Sequence, residues 1–220
     1  MMVVTQLTDD ERTEWDAYVQ SSAHGLPLHL SGWQDILQAT YGYETRFLLA
    51  RDETADGPSE IVGVLPLFLV RSRLTGNRAA TMPGGICAED AGAAATLAAE
   101  AEQVATRNGL ARIHVQDTRD RWLDNYQTVN GHVGWIVDVT GTEEERSKRL
   151  HRNIRRQIRK AGDNGLRVVV DRAGVLIDDF YQVLSQFTHQ AGTPVFPRCF
   201  LENVVRYLSK NFNIVVVYLG

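Results

Sequence analysis

ETRFLLAR (44–51) and EIVGVLPLFLV (60–70) are two strand-like runs separated by a turn-forming segment, 52–59, that contains a Gly57-Pro58 pair. Both runs are rich in branched and aromatic residues and are bounded by turn formers, so they predict a β-hairpin. Upstream, Thr8-Asp9-Asp10-Glu11 has capping-box spacing and predicts a helix opening there and running to about Gln20. Ser31-Gly32-Trp33-Gln34 repeats that spacing and predicts a second helix with Trp33, Ile36, Leu37 and Tyr41 on one face. Downstream, the glycine-rich MPGGI (82–86) precedes an alanine-rich helix expected over about 88–108, which Gly109 ends. Strands are expected at 111–116 and 133–139. This alternation of helix and strand predicts an α/β fold with a mixed sheet flanked by helices.

A second series follows. Thr142-Glu143-Glu144-Glu145 is another capping box with acidic residues at the positive end of the helix dipole, so one long basic helix is expected from there to Gly162 or Gly165. A strand at 166–171, a helix from Leu176 to Gln190, a helix from Phe200 to Lys210 and a strand at 213–220 complete the series. The element order on either side of about residue 141 predicts two modules, 1–140 and 141–220. The last strand is apolar and the sequence stops within it. The expectation is therefore a second module cut short, or a strand that joins the first sheet or self-associates along its edge.

Composition narrows the function classes. In 220 residues, 44% are hydrophobic and 23% charged, which suits a soluble globular protein with an ordinary core. No run reaches the roughly 20 apolar residues of a membrane span, and the start, MMVVTQLTDDERTEW, turns acidic where a signal peptide would be apolar, so a cytoplasmic protein is expected. Cys87 and Cys199 lack any metal or redox spacing and read as buried free thiols. No HExxH, DxD or Gly-x-Ser-x-Gly pattern occurs. Of the six histidines only His189, near GTPVF, is a candidate proton acceptor.

The net charge of -4 is unevenly spread: eight of the 23 Lys and Arg lie between Arg146 and Lys160, a stretch with no Asp or Glu. Leu150, Ile154, Ile158 and Ala161 form a narrow apolar stripe, while Arg152, Arg155, Arg156, Arg159 and Lys160 occupy the remaining surface. The helix reads either as a solvated face or as one local anion-seeking element on an otherwise acidic chain. It lacks the aromatics and breadth of a nucleic-acid arm or membrane-surface helix. RLTGNR (73–78) fits four positions of a coenzyme A pyrophosphate loop but ends in Arg where the backbone should approach phosphate. It reads as a hairpin turn.

Five blocks, HLSGWQDIL (29–37), EIVGVLPLFLVRSRLTGNR (60–78), PGGICAED (83–90), RNIRRQIRKAGDNGL (152–166) and GTPVFPRCF (192–200), resemble in this order the FemAB-like family, most of all its subgroup associated with exosortase and exopolysaccharide gene clusters. The resemblance implies tandem GNAT-like modules (the fold of acyl-CoA N-acyltransferases) that transfer an acyl or aminoacyl group to an amine without a covalent enzyme intermediate. It implies an aminoacyl-tRNA or acyl-CoA donor and an anionic cell-envelope acceptor, such as a peptidoglycan or exopolysaccharide precursor. Trp33 matches the aromatic of the family's early basic-x-Trp element, with Ser31 in the basic position, and Arg198 matches the arginine that holds the acceptor phosphate. With Arg155, Arg156 and Arg159 of the basic helix, these are the expected substrate-binding residues. The resemblance also implies that part of the reactive cleft comes from a sheet beyond residue 220, so these residues alone are expected not to turn over. The contrasting expectation is a non-catalytic fragment that binds an anionic polymer or partner through the basic helix.

Overall fold

The structure, a computed structural model, describes residues 2–53, 59–117, 123, 125–129 and 137–219. The chain divides into two compact units, Met1–Thr128 with Arg206–Asn211, and Val129–Val205 with Phe212–Gly220.

The first unit is a mixed sheet covered by helices. Its strands are β1 (Met2–Gln6), β2 (Glu44–Asp52), β3 (Glu60–Val70), β4 (Arg78–Thr81), β5 (Cys87–Ala88) and β6 (Ile113–His114). The order is β1-β2-β3-β4-β6, with β5 also on β3, and all pairs are antiparallel except β4 with β6. The predicted hairpin is therefore β2–β3, and its connection, 54–58, lies outside the described residues.

Pro66 in the centre of β3 fits because pairing on one edge changes there, from β5 at Gly63–Val64 to β4 at Leu67–Val70. Its carbonyl accepts from Met82 N–H at 3.3 Å on that edge, so its missing N–H faces the same gap and interrupts no ladder.

α3 (Ala91–Arg107) lies on the sheet with Ala93, Ala94, Leu97, Ala98, Ala101, Val104 and Ala105 buried. It starts three residues later than the sequence suggested. Cys87 and Ala88 are drawn into β5, and the Asp90 side chain then accepts from Ala93 N–H at 2.8 Å as the N-cap. Gly109, at φ 66°, follows its end as expected.

A 3-10 turn (Asp9–Glu11) leads into α1 (Arg12–Ser21). Thr8 N–H donates to Glu11 Oε2 at 3.0 Å, the half of the capping box that the spacing promised, while Glu11 N–H goes to the Thr8 carbonyl instead. Trp15 of α1 is fully buried, stacks on Phe47 at 5.6 Å and donates from Nε1 to the His29 carbonyl at 2.8 Å.

α2 (Trp33–Tyr41) buries Trp33, Ile36 and Leu37 but leaves Tyr41 exposed. Its predicted Ser31 cap does not form: the Ser31 N–H and hydroxyl both donate to the Asp16 carboxylate, at 2.7 and 3.1 Å. An ionised acceptor on α1 outcompetes the weaker local cap, and Arg12 with Asp35 makes a second charged link between α1 and α2.

In the second unit the long basic helix is two helices, α4 (Glu143–Arg149) and α5 (Arg152–Asp163). β7 (Leu166–Asp171), α6 (Ile177–Gln190), α7 (Arg198–Leu208), whose residues from Arg206 count with the first unit, and β8 (Ile214–Leu219) follow, close to the predicted bounds. Residues 133–136 of the strand expected at 133–139 lie outside the described residues, and 137–139 form no strand.

The last strand neither joins the first sheet nor is buried on both sides. β8 pairs antiparallel with β7 in a separate two-stranded sheet. Its alternation puts Ile214 and Val216 into a small core with Ile177 and Leu201, and leaves Val215, Val217 and Leu219 exposed. Cys87 is buried as expected, but Cys199 is exposed, because it lies on the outer side of the first turn of α7.

Two stability measurements test these assignments. Asp90→Ala removes the cap of α3 and is expected to lower urea stability by about 1 kcal/mol. Glu14 and Arg51 test the charge pairing between α1 and β2. Arg51 Nη1 and Nη2 donate to Glu14 at 2.7 and 2.6 Å, which holds the Glu14 carboxyl below its usual 4.5. A depressed carboxylate stabilises above its unfolded value and loses that contribution as pH falls through the folded one. Glu14 is 52% exposed, so screening reduces the effect to roughly 0.5 kcal/mol. Glu14→Gln should therefore lower stability by roughly 0.5 kcal/mol at neutral pH, with the difference from the parent vanishing as pH falls well below 4.5.

Candidate anion-binding site

The basic run divides its work at Leu150. Leu150 is extended (φ -71°, ψ 140°), and its N–H bonds the Ser147 carbonyl, closing α4. His151 then caps α5, its Nδ1 accepting from Asn153 N–H at 3.3 Å. At the start of α4, Thr142 N–H donates to Glu145 Oε2 at 2.7 Å and Glu145 N–H to Thr142 Oγ1 at 3.3 Å, the full capping box.

The cations of α4 are occupied. Arg146 donates to the Gly141 carbonyl at 2.8 Å and the Val139 carbonyl at 3.3 Å. Lys148 pairs with Glu144 at 2.9 Å, and Arg149 with Asp138 at 3.2 Å and the Thr140 carbonyl. These side chains fasten the 138–141 segment to its helix.

The cations of α5 are different. Among the described residues, Arg152, Arg155, Arg156, Arg159 and Lys160 make no ion pair, and all but half-buried Arg155 are exposed. Their spacing works against the helix that carries them. Arg152 with Arg156, Arg155 with Arg159 and Arg156 with Lys160 are like charges at i,i+4, each unfavourable by about 0.2–0.5 kcal/mol. Arg152, Arg155 and Arg156 also crowd the positive end of the helix dipole, and no acidic residue occupies the first turn. A bound polyanion would relieve both penalties. The apolar stripe does not offset them through full burial, contrary to the expectation that it packs: Ile154 is 43% and Ile158 56% exposed.

Arg198, at the start of α7 in the same unit, is already engaged. Its Nε donates to Asp178 Oδ1 at 2.7 Å and its Nη1 to Glu202, and the Asp178 hydrogen bond raises its pKa further above the ordinary arginine value. An anion reaching Arg198 must compete with two carboxylates.

Trp33 belongs to the first unit. It is 9% exposed, and its Nε1 donates to the Pro27 carbonyl at 2.9 Å, so only part of its ring edge is open. His189 is exposed in the last turn of α6.

The loop at 73–78 joins β3 to β4 as a hairpin. Leu74 and Thr75 N–H both donate to Ser72 Oγ, at 3.2 and 3.1 Å, and are therefore unavailable to a pyrophosphate. In the MPGGI segment, Gly84 N–H donates to the Gln116 carbonyl at 2.9 Å and Gly85 N–H to Met82 at 3.1 Å. That loop is likewise committed to holding the ends of β4 and β6. Gly84, at φ 108°, has no room for a side chain, since a Cβ would lie 2.8 Å from Leu26 Cδ1 and 2.9 Å from His29 Nε2.

No family model matches the chain, and no curated protein matches it. Among solved structures it is similar to one described as the crystal structure of FemX, with a TM-score of 0.67 at 20% identity. The match covers 99% of this chain and 58% of that one, so the chain has the α/β fold of a little over half of FemX.

Arg155→Gln, Arg156→Gln and Arg159→Gln together remove like-charge repulsion, so the helix should survive by circular dichroism. Polyanion affinity should nevertheless fall, and the slope of log affinity against log salt should flatten by about 2–3 if all three cations contact phosphate. An unchanged slope would mark α5 as a solvated face.

Proposed function

We propose that the chain is part of a FemAB-type N-acyl- or aminoacyltransferase, with residues 1–140 a first GNAT-like module and 141–220 the opening of a second. The observation that carries this reading is the set of cations on α5 that make no ion pair among the described residues. The likeness to the FemX fold supplies the architecture around them. An acceptor amine would attack the carbonyl of an activated acyl or aminoacyl ester, on aminoacyl-tRNA or acyl-CoA. The amine loses its proton to solvent or a nearby base, and the tRNA hydroxyl or coenzyme A thiol leaves. The enzyme's share of such a reaction is positioning and stabilisation of the developing oxyanion.

In this reading Arg155, Arg156 and Arg159 hold an anionic part of the donor or of a cell-envelope or exopolysaccharide precursor. Arg198 exchanges Asp178 and Glu202 for an acceptor phosphate, a bidentate partner that suits guanidinium geometry. Trp33 offers its ring edge on the acceptor side. A cytoplasmic setting follows from these donors.

The test is transfer, by this chain extended through a complete second module, of a labelled acyl or aminoacyl group from aminoacyl-tRNA or acyl-CoA to amine-bearing envelope precursors, followed by mass spectrometry. Transfer should occur, and the Arg155/Arg156/Arg159→Gln variant should raise KM about tenfold or more with kcat nearly unchanged, the signature of lost ground-state binding. Anion binding without transfer from either donor would replace this reading with that of a non-catalytic module that holds an anionic polymer through α5.

A further inference from the structure

The tip of the β3–β4 hairpin combines three features that neither the sheet nor the α5 site uses. Leu74 at its apex is 97% exposed, far more than an aliphatic side chain left over at the edge of a core. Arg71, Arg73 and Arg78 surround it, and between Glu60 and Glu89 these are the only charged residues. Among the described residues none of the three makes an ion pair; Arg78 Nη1 donates to Thr75 Oγ1 at 2.9 Å.

The third feature is that the turn meets its own backbone needs. Ser72 N–H donates to Asn77 Oδ1 at 3.1 Å, Leu74 and Thr75 N–H donate to Ser72 Oγ, and Gly76 takes the left-handed bend at φ 79°. A turn whose amides are satisfied by its own side chains can leave water with a smaller penalty than an open loop. β3 and β4 hold it in place, with Val70 paired to Arg78 and Leu69 and Val70 buried at its base.

We propose that this hairpin tip docks on an anionic lipid bilayer surface, with Leu74 entering the headgroup–acyl boundary and Arg71, Arg73 and Arg78 lying against lipid phosphates. The charge is complementary to acidic headgroups, and one apolar insertion plus several cations is the two-signal combination that peripheral attachment requires. Single-stranded nucleic acid is the poorer fit. Sites for it stack bases on aromatic side chains, and residues 71–78 contain none. The inference stands apart from the transfer reaction and from α5.

The experiment is co-sedimentation of the chain with vesicles made of phosphatidylcholine alone or of equal parts phosphatidylcholine and phosphatidylglycerol. The α5 Arg→Gln variant serves as background, so that those cations do not contribute. Binding to the acidic vesicles alone is expected. Leu74→Ser, at a site with no packing to lose, should weaken it about tenfold, and Arg71→Gln with Arg73→Gln and Arg78→Gln by about fivefold per charge. Leu74→Trp should add emission that brominated acyl chains quench. Equal binding by Leu74→Ser and the parent, no quenching of the added tryptophan, or displacement by RNA with no dependence on Leu74 would each overturn the proposal.

Discussion

The first unit depends on how closely α3 can approach β3. At their crossing a Cβ on Gly63 would lie 2.9 Å from Leu97 Cδ1 and 3.1 Å from Ala88 Cβ, so the strand offers a bare backbone where the helix comes nearest. The helix answers with alanines at 93, 94, 98, 101 and 105, all buried, and only Leu97 and Val104 as larger side chains among them. Small residues on both surfaces exchange buried area per residue for proximity. The larger side chains of β3, Leu65, Leu67 and Leu69, then fill the remaining space. With β3 fixed in this way, β2, β4 and β5 are positioned by pairing to it, and the loops at 71–77 and 82–86 by the strands they join.

Charge is handled in opposite ways along one short stretch of the second unit. Arg146, Lys148 and Arg149 are consumed by carbonyls and carboxylates within reach of α4, whereas α5, starting three residues later, leaves its cations facing solvent. The difference is one of supply. α4 has three glutamates in its first turn and Asp138 just upstream, while α5 has only Asp163, at its far end, where a negative charge meets the negative end of the dipole. A stretch meant only to keep a surface soluble gains nothing from stacking like charges at i,i+4, and a bound anion would relieve that repulsion.

Much of this was legible in the sequence, because local rules and tertiary demands agreed. The β2–β3 hairpin, the Thr142 capping box, the Gly109 stop and the bounds of β7, α6 and β8 follow from periodicity and capping chemistry that no distant residue contests. The misses arise where a distant partner wins. Ser31 has the spacing of a cap, but Asp16, fifteen residues away, offers an ionised acceptor. Local propensity favours one continuous helix across 143–165, and the break depends on His151 supplying a ring nitrogen as a cap, which its residue type does not advertise. The separation of the eight cations into used and unused sets was invisible for the same reason, since it depends on the neighbours that the fold brings to each.

The two kinds of arginine in the second unit also imply an order of engagement. An anion meeting α5 displaces only water and relieves repulsion, so its electrostatic gain is immediate and strongest at low salt. An anion meeting Arg198 must first release Asp178 and Glu202, two exposed carboxylates that then face it with like charge. Exposed pairs of this type contribute little, commonly under about 1 kcal/mol, so the exchange is accessible to a phosphate that can chelate the guanidinium. It would nevertheless discriminate, because a weak or monodentate anion recovers less than the carboxylates provided. The solvated cations of α5 and the paired Arg198 thus differ in what an anion must displace to reach them.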